Sequence, residues 1–257
     1  MSNVLDLSSR VAVVIGGTSG IGRAIALGLA EQGADVVPTG RRANHIEEVC
    51  AAVESLGRRT LRVVTDIRNR ESIDTLRDKT LEQFGRIDIL VNAAGFTFKK
   101  PAIQICEEQW ASILDTNLTG GLRACQSFYE PLKASGRGRI INIASLSSFV
   151  GFFEVAAYCA SKTALLSLTR SLAVEWAQDG ISVNAIAPGI FPTEMTNGIV
   201  TGTARGRELL LRTPMKRFGN PEELVGAAVL LASDGASFIT GQCLAVDGGF
   251  LASGVNS

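Results

Sequence analysis

Apolar positions in this chain come in blocks rather than singly. Short runs rich in valine and isoleucine recur: RVAVVIG, ADVVPTG, TLRVVTD, IDILVNAAG, GRIINIAS, ISVNAIAPG and QCLAVDGG. A strand that is apolar at every position suits a parallel sheet covered on both faces. Helix-length amphipathic stretches separate most of the runs. That alternation predicts an α/β fold of Rossmann type, a doubly wound, seven-stranded parallel sheet with helices on both faces. No linker rich in Pro, Gly or Ser interrupts the series, so residues 1–257 read as a single domain.

Some boundaries are legible locally. Asn220-Pro221-Glu222-Glu223 places a cap residue, a proline at the first helical position and a glutamate three residues after the cap. Gly57 closes HIEEVCAAVESLG as a left-handed cap would. Residues 192–214 break the alternation, and an insertion of that length at the carboxyl end of a strand reads as a substrate lid.

Composition narrows the function. Hydrophobic residues make up 46% and charged residues 19%, as in a compact soluble protein. Basic and acidic residues balance at 25 each, which argues against a nucleic-acid partner. MSNVLDLSSR has no apolar h-region, so no secretory signal is expected. The most apolar long window, Val155 to Ala173, carries Lys162 and Arg170 and is too polar to cross a membrane. Cys50, Cys106, Cys125, Cys159 and Cys243 are widely spaced without a CxxC pair and read as reduced thiols of a cytoplasmic protein. His45 is the single histidine, which leaves no metal cluster and no His-based triad.

Two stretches carry candidate chemistry. The first, VVIGGTSGIGRAIALGLAEQG, spaces glycines as G-x-x-x-G-x-G over Gly16, Gly20 and Gly22. A plain strand-to-helix turn would use glycines too. Here the turn follows the first strand and opens a helix, where backbone can approach a pyrophosphate. No phosphate-binding lysine follows, so nucleotide hydrolysis is not expected. The second strand ends in Gly40-Arg41-Arg42, where dinucleotide sites usually hold an acid. Two guanidiniums in that place favour NADP(H), with Arg41 on the 2′-phosphate. A solvated basic helix start is the competing account, and NAD(H) stays open.

The second stretch, FEVAAYCASKTALLSL, sets Tyr158 and Lys162 one helical turn apart, about 5–6 Å at Cβ. An ammonium beside a phenol favours the phenolate and is expected to lower the Tyr158 pKa toward neutrality. Any helical protein contains such pairs by chance, so other residues must decide. Ser145 stands just past the fifth run, where α/β sheets bind ligands, and can polarise a carbonyl that Tyr158 protonates. Asn117 shares an apolar stripe with Ile113 and Leu114, and a buried amide needs partners. Gly120 and Gly121 weaken the helix just after it, which predicts a bend.

Together these residues resemble the short-chain dehydrogenases/reductases over nearly the whole chain. The matching elements are the glycine turn, Asp66 in VTDI, Asn92-Ala93-Ala94-Gly95, Asn117, Ser145, Tyr158-x-x-x-Lys162, Pro188-Gly189 and Thr193. Ser145 and Tyr158 are 13 residues apart, the family's usual interval. The resemblance implies Tyr158 as general acid/base, Ser145 orienting the substrate oxygen, and Lys162 holding the nicotinamide ribose. Asn117 would hold a water that links Lys162 to solvent. The cofactor would contact Gly16, Thr18, Ser19, Gly20, Ile21, Gly22, Arg41, Arg42, Asp66, Ile67, Asn92, Ala93 and Gly95. At its nicotinamide end it would meet Tyr158, Lys162, Pro188, Gly189, Phe191 and Thr193. A homotetramer built on the helices of Asn117 and Tyr158 is also implied. Ile15, Ala93 and Ser19 depart from the family's common pattern; Ser19 stands where many NADP(H) members carry an arginine.

The resemblance implies a small ketone or secondary alcohol as substrate. The stretch from Arg212 to Phe250 is most similar to members acting on sugar acids, such as gluconate 5-dehydrogenases, and nearly as similar to 3-oxoacyl-carrier-protein reductases. Phe96, Leu146, Phe152, Phe153 and Met195 are expected to face the substrate, an apolar rim that favours a bulky or acyl ketone over a bare polyol. Lys99 and Lys100 can attract a carboxylate or simply form a solvated loop. A non-catalytic dinucleotide sensor or a methyltransferase would not need Ser145, Tyr158 and Lys162 together.

Overall fold

The computed structural model describes residues 3–194 and 196–255. Six parallel strands form the sheet among them: β1 (Val11–Ile15), β2 (Asp35–Thr39), β3 (Ile89–Asn92), β4 (Arg139–Ile143), β5 (Ser182–Pro188) and β6 (Cys243–Val246). Their order is β2-β1-β3-β4-β5-β6. The direction of winding reverses between β1 and β3, which opens a crevice at their carboxyl ends. The helices are α1 (Gly20–Glu31), α2 (Ala43–Ser55), α3 (Arg70–Phe84), α4 (Glu107–Leu114), α5 (Gly120–Ala134), α6 (Ala156–Trp176), α7 (Asn197–Val200), α8 (Ala204–Arg212) and α9 (Val225–Ala232).

Successive residues of a strand face opposite sides, and the core divides accordingly. Ala12, Val14, Val36 and Ile141 pack beneath Ile25, Leu29 and Ala228 of α1 and α9. Val13, Leu90, Ile140 and Val183 pack on the other side against Ile73, Leu76, Phe128 and Leu172 of α3, α5 and α6. The amino ends of the strands are closed by buried ions: Arg10 donates to the Ala232 carbonyl and to Asp234, while Asp88 accepts from Val11 N, Arg86 and Arg137. The carboxyl ends stay open.

The seventh strand expected at TLRVVTD does not form. That stretch runs beside β2 and is joined to it by one isolated bridge, Gly40 to Val64. Val36 N donates to Arg59 O at 3.1 Å and Thr65 N to Gly40 O at 2.9 Å. Between them, on the same edge of β2, stands Pro38, which has no N–H to give. The ladder fails there, and the Thr39 hydroxyl takes the Val63 carbonyl instead.

The local signals held elsewhere. Gly57 is left-handed at φ 73°. Asn220 and Glu223 form a reciprocal capping box over Pro221–Leu224, which leads into α9. The helix carrying Asn117 is indeed distorted: α4 passes through a π-helical turn, Asp115–Thr119, before α5 begins. Residues 192–214 contain α7 and α8.

Candidate active site

A cleft of about 810 Å³ runs along the carboxyl ends of the strands. At one end β1 turns into α1. Gly16 has φ 84°, and a Cβ there would lie 2.5 Å from Ala94 N; a Cβ on Gly22 would lie 2.1 Å from Gly16 O. Only glycine lets these segments meet. Thr18, Ser19, Gly20, Ile21 and Gly22 therefore line the cleft at the helix start. Ser19 occupies the N-cap of α1 without capping it through its side chain, so the first-turn N–H groups remain available to an anion.

Next along the wall come Arg41, Arg42, Asp66, Ile67 and Arg68. Asp66 accepts from the Arg68 guanidinium at 2.6 Å, and this pairing holds its carboxyl at about 2. Arg42 reaches Glu194 at 3.4 Å across the cleft. Arg68 was not singled out from sequence; its position two residues after Asp66 was the available signal.

The centre of the cleft is built by β4 and α6. Ser145 follows β4 in extended conformation and accepts a hydrogen bond from Ser147 N at 3.1 Å. Tyr158 lies in the first turn of α6, with the Ser145 hydroxyl close enough to its phenol to favour the phenolate. Lys162 is one turn further on, 5% exposed, and its ammonium donates to the Ile143 carbonyl at 2.6 Å. The ammonium sits 5.7 Å from the centre of the Tyr158 ring. Among the described residues no carboxylate pairs with Lys162, and burial lowers it from its ordinary 10.5 to about 8.

The expected lowering of the Tyr158 pKa does not follow from the protein's own groups. Burial raises the phenol above its ordinary value, and the Ser145 hydroxyl opposes this without cancelling it. The ammonium spends its hydrogen bond on Ile143, not on the phenol.

The remaining predicted residues divide. Ala93, Gly95, Pro188, Gly189, Phe191 and Thr193 line the cleft. Asn92 does not; it is 5% exposed and turned into the sheet, where its amide donates to Asn142 Oδ1 at 2.9 Å. Asn117 also stands behind the wall. Its Oδ1 accepts from Phe96 N at 3.0 Å, and its amide donates to Phe96 O at 3.0 Å and to Ser161 Oγ at 3.2 Å. It thus clamps the loop after β3 to α6. Of the predicted rim, Phe96, Leu146 and Phe152 line the cleft. Phe153 is 78% exposed and does not line it, and Met195 lies outside the described residues. Among the described residues no cluster suited to a metal ion is found and no helix is long and apolar enough to cross a membrane.

A glycine cradle at a helix start, a row of arginines and a Ser–Tyr–Lys group in one cleft define a dinucleotide-dependent oxidoreductase. The family model described as Enoyl-(Acyl carrier protein) reductase matches residues 16–251. The chain belongs to the short-chain dehydrogenase/reductase family and is an NAD(P)-dependent enzyme acting on CH–OH groups. It is 40% identical over 253 residues to 2-dehydro-3-deoxy-D-gluconate 5-dehydrogenase of Escherichia coli (strain K12), with 97% of this chain and 98% of that protein covered. It is 38% identical over 245 residues to an NAD-dependent glycerol dehydrogenase of Listeria innocua, with 95% of each covered. The crystal structure of a gluconate 5-dehydrogenase from Burkholderia cenocepacia J2315 in complex with NADP and tartrate superposes with TM-score 0.93 at 34% identity, covering 98% of each chain.

The buried ammonium gives a pH signature. The unfolded chain keeps the Lys162 proton to about pH 10.5 and the folded chain to about 8, so between these values the unfolded state binds more protons. Stability contributed at this site is lowest below pH 8 and rises toward pH 10.5. Relative to Lys162→Met, the native protein should gain up to roughly 3 kcal/mol over that window in urea unfolding at stepped pH. A difference that does not move with pH contradicts the assignment.

Proposed function

We propose that this protein transfers a hydride reversibly between NADP(H) and the secondary alcohol or ketone of a gluconate-type sugar acid. The observation that carries the chemistry is the meeting of Ser145, Tyr158 and Lys162 in one cleft with the glycine cradle. The residues fit a dinucleotide: uncapped first-turn N–H groups of α1 suit the pyrophosphate, and Arg41, Arg42 and Arg68 suit a 2′-phosphate. The bound nicotinamide supplies or accepts the hydride. Tyr158 gives the proton to the substrate oxygen in reduction and takes it in oxidation. Ser145 donates a hydrogen bond to the same oxygen and holds it against the phenol. The Lys162 ammonium, fixed on Ile143, is the ligand for the nicotinamide ribose. Asn117 positions the Phe96 loop, which would border the nicotinamide end. Residues 192–214 act as the lid.

The sugar-acid substrate is supported by the names of the relatives above, one of them solved with NADP and the dicarboxylate tartrate. The glycerol dehydrogenase relative marks a neutral polyol with NAD as the competing substrate and cofactor. A 3-oxoacyl thioester is the second reading, favoured by the apolar wall of Phe96, Leu146, Phe152 and Leu209. The protein works as a cytoplasmic homotetramer: Trp110 of α4 and Val174 of α6 are 41% and 81% exposed, apolar surface that a partner copy would cover. Light scattering should give about four times the chain mass of 27.1 kDa, and a monomeric mass would refute the assembly.

Sugar acids, polyols and a 3-oxoacyl thioester assayed with both cofactors, by nicotinamide absorbance, decide the substrate. Turnover should be best with a sugar acid and NADP(H); a clear NAD(H) preference or best turnover of the thioester overturns that part. Tyr158→Phe should keep cofactor binding and lose roughly 100-fold or more in turnover. Near-normal turnover of the variant shows that the phenol is not the proton donor.

A further inference from the structure

The far end of the cleft holds a cation that neither the cofactor nor the proton transfer uses. Beyond the arginines of the adenosine end, Lys162, Lys99 and Arg205 line the wall. Lys162 donates to Ile143 O and belongs to the ribose and proton-transfer site proposed above. Lys99 is committed to Glu154 at 3.0 Å, a pair without net charge. Glu154 holds that position with φ 62°, a conformation that costs a non-glycine residue about 1–3 kcal/mol. The neighbouring Phe153 carbonyl accepts from Arg205 Nη1 at 2.9 Å. Among the described residues no carboxylate pairs with Arg205. A guanidinium carries five N–H donors, so one bond to a neutral carbonyl leaves most of its fork available.

Local structure fixes where that fork is aimed. Arg205 and Leu209 are one turn apart on α8, and both face the cleft. Arg207 is exposed and lies off the cleft wall. Thr203 caps α8, accepting from Gly206 N at 2.9 Å. A Cβ on Gly206 would fall 1.7 Å from Val200 O, so α8 is seated hard against the end of α7. The surrounding wall of Phe96, Leu146, Phe152, Val155 and Val200 is apolar. Arg205 is itself half-buried beside that wall, where its attraction for an anion is stronger than in bulk water.

We propose that Arg205 is the receptor for the substrate's carboxylate, pairing with it through the edge of the guanidinium not engaged by Phe153. The carbinol carbon then lies toward Tyr158 and Ser145. This rests on the sugar-acid reading and adds to it the residue that selects an acid over a neutral polyol. It also ties α8 to the substrate, since Arg205 contacts an acid and has no such contact with an alcohol.

The test compares D-gluconate with D-glucitol, which carries a hydroxymethyl group in place of the carboxylate. Native enzyme, Arg205→Gln and Arg205→Lys are assayed in steady state, with NADP affinity and thermal unfolding measured alongside. Arg205→Gln should raise the KM for D-gluconate roughly 10- to 100-fold, the worth of a charge-assisted pair, with kcat nearly unchanged. NADP affinity and the kcat/KM for D-glucitol should not move, and Arg205→Lys should fall between. If native enzyme prefers the acid but Arg205→Gln keeps that preference, Arg205 is not the receptor and the sugar-acid reading stands. If native enzyme treats both compounds alike, or turns over neither, the sugar-acid reading falls and this inference falls with it.

Discussion

A buried ammonium held by a single backbone carbonyl organises this molecule. Among the described residues Lys162 has no carboxylate partner, and its ammonium donates to Ile143 O at 2.6 Å. Removing such a charge from water is costly, so the fold around it must make that carbonyl immovable. It does so by placing Ile143 at the end of β4, between β3 and β5 in the sheet. The residues that follow turn under α6, and the Ser148 hydroxyl donates to the Lys162 carbonyl at 2.8 Å. One strand end and one helix thereby deliver Ser145, Tyr158 and the ammonium together. The sheet core can be read as the support for that seat.

Electrostatics divides the cleft in two. The adenosine end carries three arginines, with Asp66 and Glu194 partly neutralising them. The substrate end is mostly apolar; Lys99 is paired with Glu154 there, Lys162 sits beside Tyr158, and among the described residues no carboxylate pairs with Arg205. A polyanion and a smaller, partly apolar anion would each find its own end. The Tyr158 phenol lies between them, its pKa raised by burial. An oxidised nicotinamide, itself a cation, pulls it the other way.

Much of this was legible in the sequence because the family's elements are local. Six apolar runs became strands, the glycine turn fell where backbone must touch backbone, and the spacing of Tyr158 and Lys162 needed only a helix. The failures were non-local. TLRVVTD has the composition of a strand, but whether it pairs depends on Pro38 in its neighbour, which withholds a donor. Asn92 sits at the right strand end but turns inward to Asn142. The direction of the Tyr158 shift depends on burial, which spacing does not encode. Arg205 went unnoticed because it reaches the cleft from a helix 47 residues past Tyr158 in the chain. Its turn-spaced relation to Leu209 was the one visible clue.

The central claim is that a phenol disfavoured as an anion by burial becomes ionisable when the cofactor binds. The chain has two tyrosines, Tyr129 and Tyr158, so Tyr129→Phe leaves one phenol to observe. Ultraviolet difference titration of that variant, with and without saturating NADP+, measures Tyr158 directly. The account predicts a midpoint above the ordinary value of 10 in the free protein and a clear fall with the cofactor bound. A midpoint that is the same in both states would contradict it.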